Sequence, residues 1–185
     1  AWHQANHDEL TGLPNRRLLG ENARRLLSVA MRRDRRAALM VLDLDGFKEV
    51  NDAFGHAYGD AMLRRVAMRM SMTLREYDLI ARIGGDEFVV LLPEIDDPDV
   101  ARRVAEKLIG AASEDVEFGE RPSHMGASVG IAVFPTDGQD FDTLLRRADA
   151  AMYASKQAGK NRCTFASLLH GEPVIPPAPR GLRPH

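Results

Sequence analysis

The sequence predicts an α+β domain in which helices wrap a central mixed, mostly antiparallel sheet. Two observations lead there. Apolar runs of strand length are interleaved with longer segments of helical periodicity, without any internal repeat. In the middle of the chain, residues 79–83 and 88–92 flank Gly84-Gly85, the pattern of a hairpin whose turn needs a positive φ.

Taken in order, residues 14–33 carry Leu18, Leu19, Ala23, Leu26, Leu27 and Ala30 near helical spacing. Pro14 suits the first turn of that helix, after a Thr11-Gly12 turn. Arg32, Arg33, Arg35 and Arg36 then read as a solvated basic turn. Residues 37–44 form an apolar run, hence a buried strand, which ends in Asp43-Leu44-Asp45-Gly46. A helical stretch from about residue 48 is expected to break at Gly55 and Gly59 and to resume through residues 60–75. Met62, Met68, Met70 and Met72 on it read as core filler. After the hairpin come a helix over residues 100–112, a strand over 126–134 and a helix over 141–158 stopped by Gly159. A last strand follows over residues 162–166.

Composition narrows the function. A length of 185 residues suits one domain. Its 44% hydrophobic and 28% charged content reads as globular. A net charge of −2 argues against a nucleic-acid or membrane surface. The lone Cys163 excludes an internal disulfide and a Cys-cluster zinc site, and reads as a buried thiol in a reducing cytoplasm. No membrane-length apolar segment or signal peptide is visible. The polar start at Ala1-Trp2-His3 suggests that residues 1–7 are the stub of an upstream helical linker, leading to a sensory domain. Residues 8–166 are expected to form the folded domain. Residues 167–185, rich in proline, are expected to be a tail or linker.

Two acidic spots stand out. Asp43 and Asp45 end a buried strand, where a carboxylate is costly without a partner. Asp86 and Glu87 follow the hairpin glycines. If the hairpin packs beside the first strand, both sets meet at one sheet edge. Clustered carboxylates repel one another, and a hard divalent cation is the usual reason to assemble them. Spacing alone does not choose between Asp43 and Asp45. A P-loop GTPase is excluded, because no G-x-x-x-x-G-K-[ST] sequence is present.

Arg82-Ile83-Gly84-Gly85-Asp86-Glu87-Phe88 resembles the signature of the GGDEF family of diguanylate cyclases. Further blocks resemble the family in its own order: residues 8–16 (DELTGLPNR), 43–48 (DLDGFK), Asn51-Asp52, 54–56 (FGH) and Gly59-Asp60. Residues 128–132 (SVGIA) and the stretch from Ala148-Asp149 through Lys156, Gly159, Lys160 and Asn161 complete the set. The resemblance implies a fold like a nucleotide cyclase or polymerase palm. It also implies condensation of two GTP into cyclic di-GMP and two pyrophosphates, between two transiently paired protomers.

The resemblance implies roles as well. Asp43, the Leu44 carbonyl and Asp86 would hold two Mg²⁺ ions, which Mn²⁺ could replace, and Glu87 would help deprotonate the 3′-hydroxyl. Gly84 and Gly85 would let phosphate approach the backbone. The backbone N–H groups of Phe47 and Lys48, at a helix start, would bind phosphate together with Lys156 and Lys160. Three of the four lysines in the chain thus fall on phosphate positions. Asn51 and Asp60 would read guanine, since a carboxylate accepts from both N1–H and the 2-amino group; otherwise Asp60 is a helix N-cap. Arg75 and Asp78, with five residues between Asp78 and Gly84, match an inhibitory product site, against the alternative of an arginine at a helix C-terminus. The rival from another class is a catalytically inactive module that binds GTP or cyclic di-GMP.

Overall fold

The structure is a computed structural model that describes residues 5–118 and 121–169. Its six-stranded sheet comprises β1 (Arg36–Asp45), β2 (Leu79–Gly84), β3 (Glu87–Ile95), β4 (Glu114–Phe118), β5 (Arg121–Phe134) and β6 (Arg162–Phe165). Around it lie α1 (Arg16–Arg32), α2 (Phe47–Phe54), α3 (His56–Thr73), α4 (Pro98–Ala112) and α5 (Phe141–Gln157). The strand order is β2-β3-β1-β5-β4, all antiparallel, and β6 pairs with β5 in parallel. This is the expected α+β class with a mixed, mostly antiparallel sheet.

β1 is apolar on both faces because helices cover both. Ala38, Met40, Leu42 and Leu44 pack in a core with Met62, Leu63 and Val66 of α3 and Leu108 of α4. Ala37, Leu39 and Val41 pack in a second core with Leu19 and Leu27 of α1 and Leu144 and Ala148 of α5. Alternation along the strand therefore carries Asp43 and Asp45 to the α5 face. Helix α5 lies unusually close to the sheet there. A Cβ built on Gly130 of β5 would collide with the backbone carbonyl of Ala148 and the backbone nitrogen of Met152.

Several expectations are corrected. Pro14 does not open α1; it bridges to His7, and Asn15 is the N-cap, accepting from the Leu18 N–H at 3.1 Å. Gly55, at φ +89°, separates α2 from α3, but Gly59 continues α3 without a break. Met62 and Met70 are fully buried whereas Met68 and Met72 are exposed, because only the first pair faces the sheet. β4 is an additional strand. Its Glu114-Asp115-Val116-Glu117 run lacks a β-forming composition, and pairing with β5 makes it a strand. Residues 1–4 of the supposed linker stub, and residues 170–185 of the proline-rich tail, lie outside the described residues. Among the described residues no helix is long and apolar enough to cross a membrane.

Gly130→Ala should force α5 off β5 and lower stability by about 1–3 kcal/mol, as overpacking does. Thermal melting checks this, and an unchanged midpoint would contradict the close approach.

Candidate active site

The two acidic spots meet, though not at the lateral edge of the sheet. They meet at the end of a central strand, because β1 lies between β3 and β5. Asp43 pairs directly across from Glu87, and the Leu44 N–H donates to the Asp86 carbonyl at 3.2 Å. The hairpin turn that delivers Asp86 is short. Gly84, the last residue of β2, pairs with Glu87, leaving Gly85 and Asp86 as the loop, with Gly85 at φ +51°. Arg82 braces the loop from below: Nε donates to the Gly85 carbonyl at 2.9 Å and Nη1 to Asp8 Oδ1 at 2.8 Å. Asp8 is held in turn by the N–H and hydroxyl of Thr11.

The electrostatics of this end are adverse without a cation. One oxygen of Asp43, Oδ1, is buried without a hydrogen-bond partner among the described residues. Burial, and then the Asp86 carboxylate, push the Asp43 carboxyl up to about 8, Glu87 adds to this, and Lys156 opposes it. The Lys156 ammonium lies 3.3 Å from the Leu44 carbonyl and 3.7 Å from Asp43 Oδ2, a positive charge at the oxygens expected to hold metal. An orphaned carboxylate oxygen, a second carboxylate and a carbonyl are hard donors that fit Mg²⁺ or Mn²⁺. Among the described residues no three carboxylate, imidazole or thiol side chains converge on one point, so the protein would supply only part of such an ion's shell. That suits Mg²⁺, which keeps water and substrate phosphate oxygens.

Helix α2 begins directly after this strand end. Gly46 is its N-cap at φ +82°, and among the described residues no side chain caps the first N–H groups, at Phe47 and Lys48. Phe47 is buried while Lys48 is exposed. Helices α2 and α3 meet at Gly55. Asn51 Oδ1 is buried without a hydrogen-bond partner among the described residues, and a Cβ on Gly59 would collide with it. Asp60 is half-buried next along α3, and it is not an N-cap, since the helix starts four residues earlier. Asn51 thus packs on Gly59, the residue directly before Asp60.

Lys160 is exposed at φ +66°, in the turn after α5. Arg75 and Asp78 share one separate tight turn beyond α3, which ends at Thr73, so Arg75 is not a helix-terminal residue. The Arg75 N–H donates to Asp78 Oδ2 at 2.9 Å, and its guanidinium donates to the Tyr77 hydroxyl at 2.7 Å and is exposed. Burial raises the Asp78 carboxyl above its ordinary value.

A sequence profile of the family described as "Diguanylate cyclase, GGDEF domain" matches residues 5–162. The chain belongs to the GGDEF family. It is 46% identical over 167 residues to the bifunctional diguanylate cyclase/cyclic di-GMP phosphodiesterase MucR of Pseudomonas aeruginosa, covering 90% of this chain and 24% of MucR. The chain therefore spans about a quarter of that relative's length. The GGDEF domain of TpbB (YfiN) from P. aeruginosa superposes with a TM-score of 0.80 at 37% identity, covering 86% of this chain and 94% of that one. The GGDEF domain of DgcB from Caulobacter crescentus, solved in complex with c-di-GMP, gives 0.76 at 31% identity, covering 88% and 96%.

Sequence reasoning gave no role to two buried acids of this GGDEF domain. Asp45 accepts three hydrogen bonds beside Asp43. Asp149 on α5 is 4% exposed, and burial followed by Glu87 raises its carboxyl to about 7. Spacing held the signal. Asp45 lies two residues from Asp43 on a strand, and Asp149 lies two helical turns before Lys156, so each shares a face with a site residue.

The shift at Asp43 has a sign that a measurement can check. Its folded-state pKa exceeds the ordinary 3.8, so the native state holds a proton that the unfolded chain releases. Without divalent cations, its contribution to stability is complete below about pH 4 and is lost as pH rises towards 8. Asp43→Asn, which carries no charge, should melt higher than wild type at pH 8 in chelator and converge with it near pH 4. A wild-type advantage at pH 8 would contradict the reading.

Proposed function

We propose that this domain is a diguanylate cyclase: it condenses two GTP into cyclic di-GMP and releases two pyrophosphates, with one GTP held by each of two facing protomers. The observation that carries the reading is the buried, unpartnered Asp43 oxygen set beside Asp86 and the Leu44 carbonyl. It is supported by relatives whose names carry this activity.

Asp43, the Leu44 carbonyl and Asp86 would hold two Mg²⁺ ions, or Mn²⁺ in their place. Bound there, the ions supply activation of the attacking hydroxyl and neutralisation of the departing pyrophosphate. The residues do the rest. The Phe47 and Lys48 N–H groups, Lys156 and Lys160 bind the phosphates, and Gly84 and Gly85 let them approach the backbone. Asn51 and Asp60 hold guanine, and adenine would leave the Asp60 carboxylate facing an acceptor. Glu87, directly across from Asp43, receives the 3′-hydroxyl proton, itself or through a water. Each 3′-oxygen bonds to the α-phosphorus of the other GTP as the bond to pyrophosphate breaks. One guanine-reading pair and one acidic end per chain hold one substrate, so two protomers must face each other to place attack and departure in line. Their pairing is transient, since the face must open to release product. Arg75 and Asp78 would form a product-inhibitory site; the GGDEF domain of DgcB is solved in complex with c-di-GMP. A GTP substrate implies the cytoplasm, with an upstream sensory segment controlling the pairing.

Purified protein with GTP and Mg²⁺ should yield cyclic di-GMP by mass spectrometry. Asp86→Asn should fold normally yet turn over at least ~10³-fold more slowly, about 4 kcal/mol of lost transition-state stabilisation. Near-normal turnover by that variant would sink the assignment.

Asp60→Ala should sharply weaken GTP use and narrow the gap between GTP and ATP. An unchanged preference, measured as the ratio of kcat/KM values, would remove Asp60 from base recognition.

A further inference from the structure

Asp45 is only 7% exposed, yet its carboxylate gathers donors from three separate elements. The Ser128 hydroxyl on β5 donates to Oδ1 at 2.7 Å, and the Lys156 ammonium on α5 donates to the same oxygen at 2.8 Å. The Asn161 N–H, in the turn after α5, donates to Oδ2 at 2.9 Å. That turn holds Lys160 and Asn161 at φ +66° and +51°, a conformation that side-chain-bearing residues rarely adopt without support. The Lys160 N–H adds a bond to the Ser155 carbonyl at 3.0 Å.

The ammonium of Lys156 therefore has one close anionic partner, Asp45, and two more distant oxygens, on Leu44 and Asp43. The distant pair belongs to the set read above as cation ligands; Asp45 does not. An ammonium and a divalent cation cannot both occupy the space in front of the Leu44 carbonyl and Asp43, since their charges repel at that separation. A lysine on its flexible four-carbon stem can yield that space without leaving its anchor.

We propose that Asp45 is a positioning residue: it tethers Lys156 as a resident counter-ion for Asp43 and the Leu44 carbonyl. When a divalent cation takes those two oxygens, the ammonium gives way while staying on Asp45, within reach of cation-bound phosphate. The inference rests on the cation site proposed above. It gives Lys156 two successive partners and explains why a second buried carboxylate stands beside the first without being a ligand.

The test reads metal and lysine directly, without turnover. Mn²⁺ binding to nucleotide-free protein is measured from the electron paramagnetic resonance signal of the free ion. Lys156→Met should bind Mn²⁺ roughly tenfold more tightly than wild type, whereas Lys160→Met, which removes an equal charge lacking those contacts, should change affinity less than twofold. With four lysines in the chain, the Lys156 ammonium can be assigned in a ¹H–¹⁵N spectrum by its loss in Lys156→Met. Its slowed proton exchange should survive Mg²⁺ addition with a shifted frequency, and should be lost in Asp45→Asn. Equal tightening by the two lysine variants, or an ammonium signal that persists in Asp45→Asn, overturns the tether. Unchanged Mn²⁺ affinity in Asp43→Asn would instead overturn the cation site itself. If Asp45→Asn does not fold, the comparison of the two lysine variants decides.

Discussion

The pairing of Asp43 with Glu87 across β1 and β3 is the constraint around which this domain is arranged. It sets carboxylates at the end of a strand buried on both faces, where water cannot solvate them fully. Everything near it supplies or balances charge. Lys156 reaches in from α5, uncapped N–H groups of α2 open just beyond, and the Asp86 loop closes over the Leu44 N–H. The raised Asp43 carboxyl is the sign that the protein's own groups leave this balance incomplete. In the function proposed above, a hard divalent cation with its phosphate ligands would complete it.

The sheet also divides the labour between its two faces. Alternation along β1 sends Asp43 and Asp45 towards α5, whereas Leu42 and Leu44 turn towards α3 and α4. Asn51 and Asp60 stand on α2 and α3, whose apolar residues Phe47, Val50, Met62 and Leu63 belong to the same core as Leu42 and Leu44. Asp43, proposed to hold metal, and the residues proposed to read guanine thus lie on opposite sides of the sheet, joined by Gly46, whose left-handed backbone turns the strand into the helix. The collision expected at Gly130 shows how closely α5 must sit to bring Lys156 to the strand end.

Much of this was legible in the sequence because it is local. A doubly buried strand such as β1 reads as a continuous apolar run, a glycine pair between two apolar runs reads as a hairpin, and the family blocks stand in order. What was not legible depends on tertiary partners. Gly59 looks like a helix breaker until Asn51 packs where its side chain would be, so the helix runs through it. Asp60 looks like a cap until the helix is seen to begin at His56. Met68 and Met72 match Met62 and Met70 in type, and only the orientation of α3 separates surface from core. Asp45 was indistinguishable from Asp43 by spacing, and only its three donors reveal its different surroundings.

The central claim is that a divalent cation sits at the junction of β1 and the hairpin loop. A crystal of this protein grown with Mn²⁺ and a non-hydrolysable GTP analogue, measured at the manganese absorption edge, locates the ion directly. The account predicts an anomalous peak bounded by Asp43, the Leu44 carbonyl, Asp86 and the analogue's phosphates, with the Lys156 ammonium still on Asp45. An analogue bound through its phosphates elsewhere, with Lys156 unmoved and no anomalous peak between Asp43 and Asp86, would contradict it.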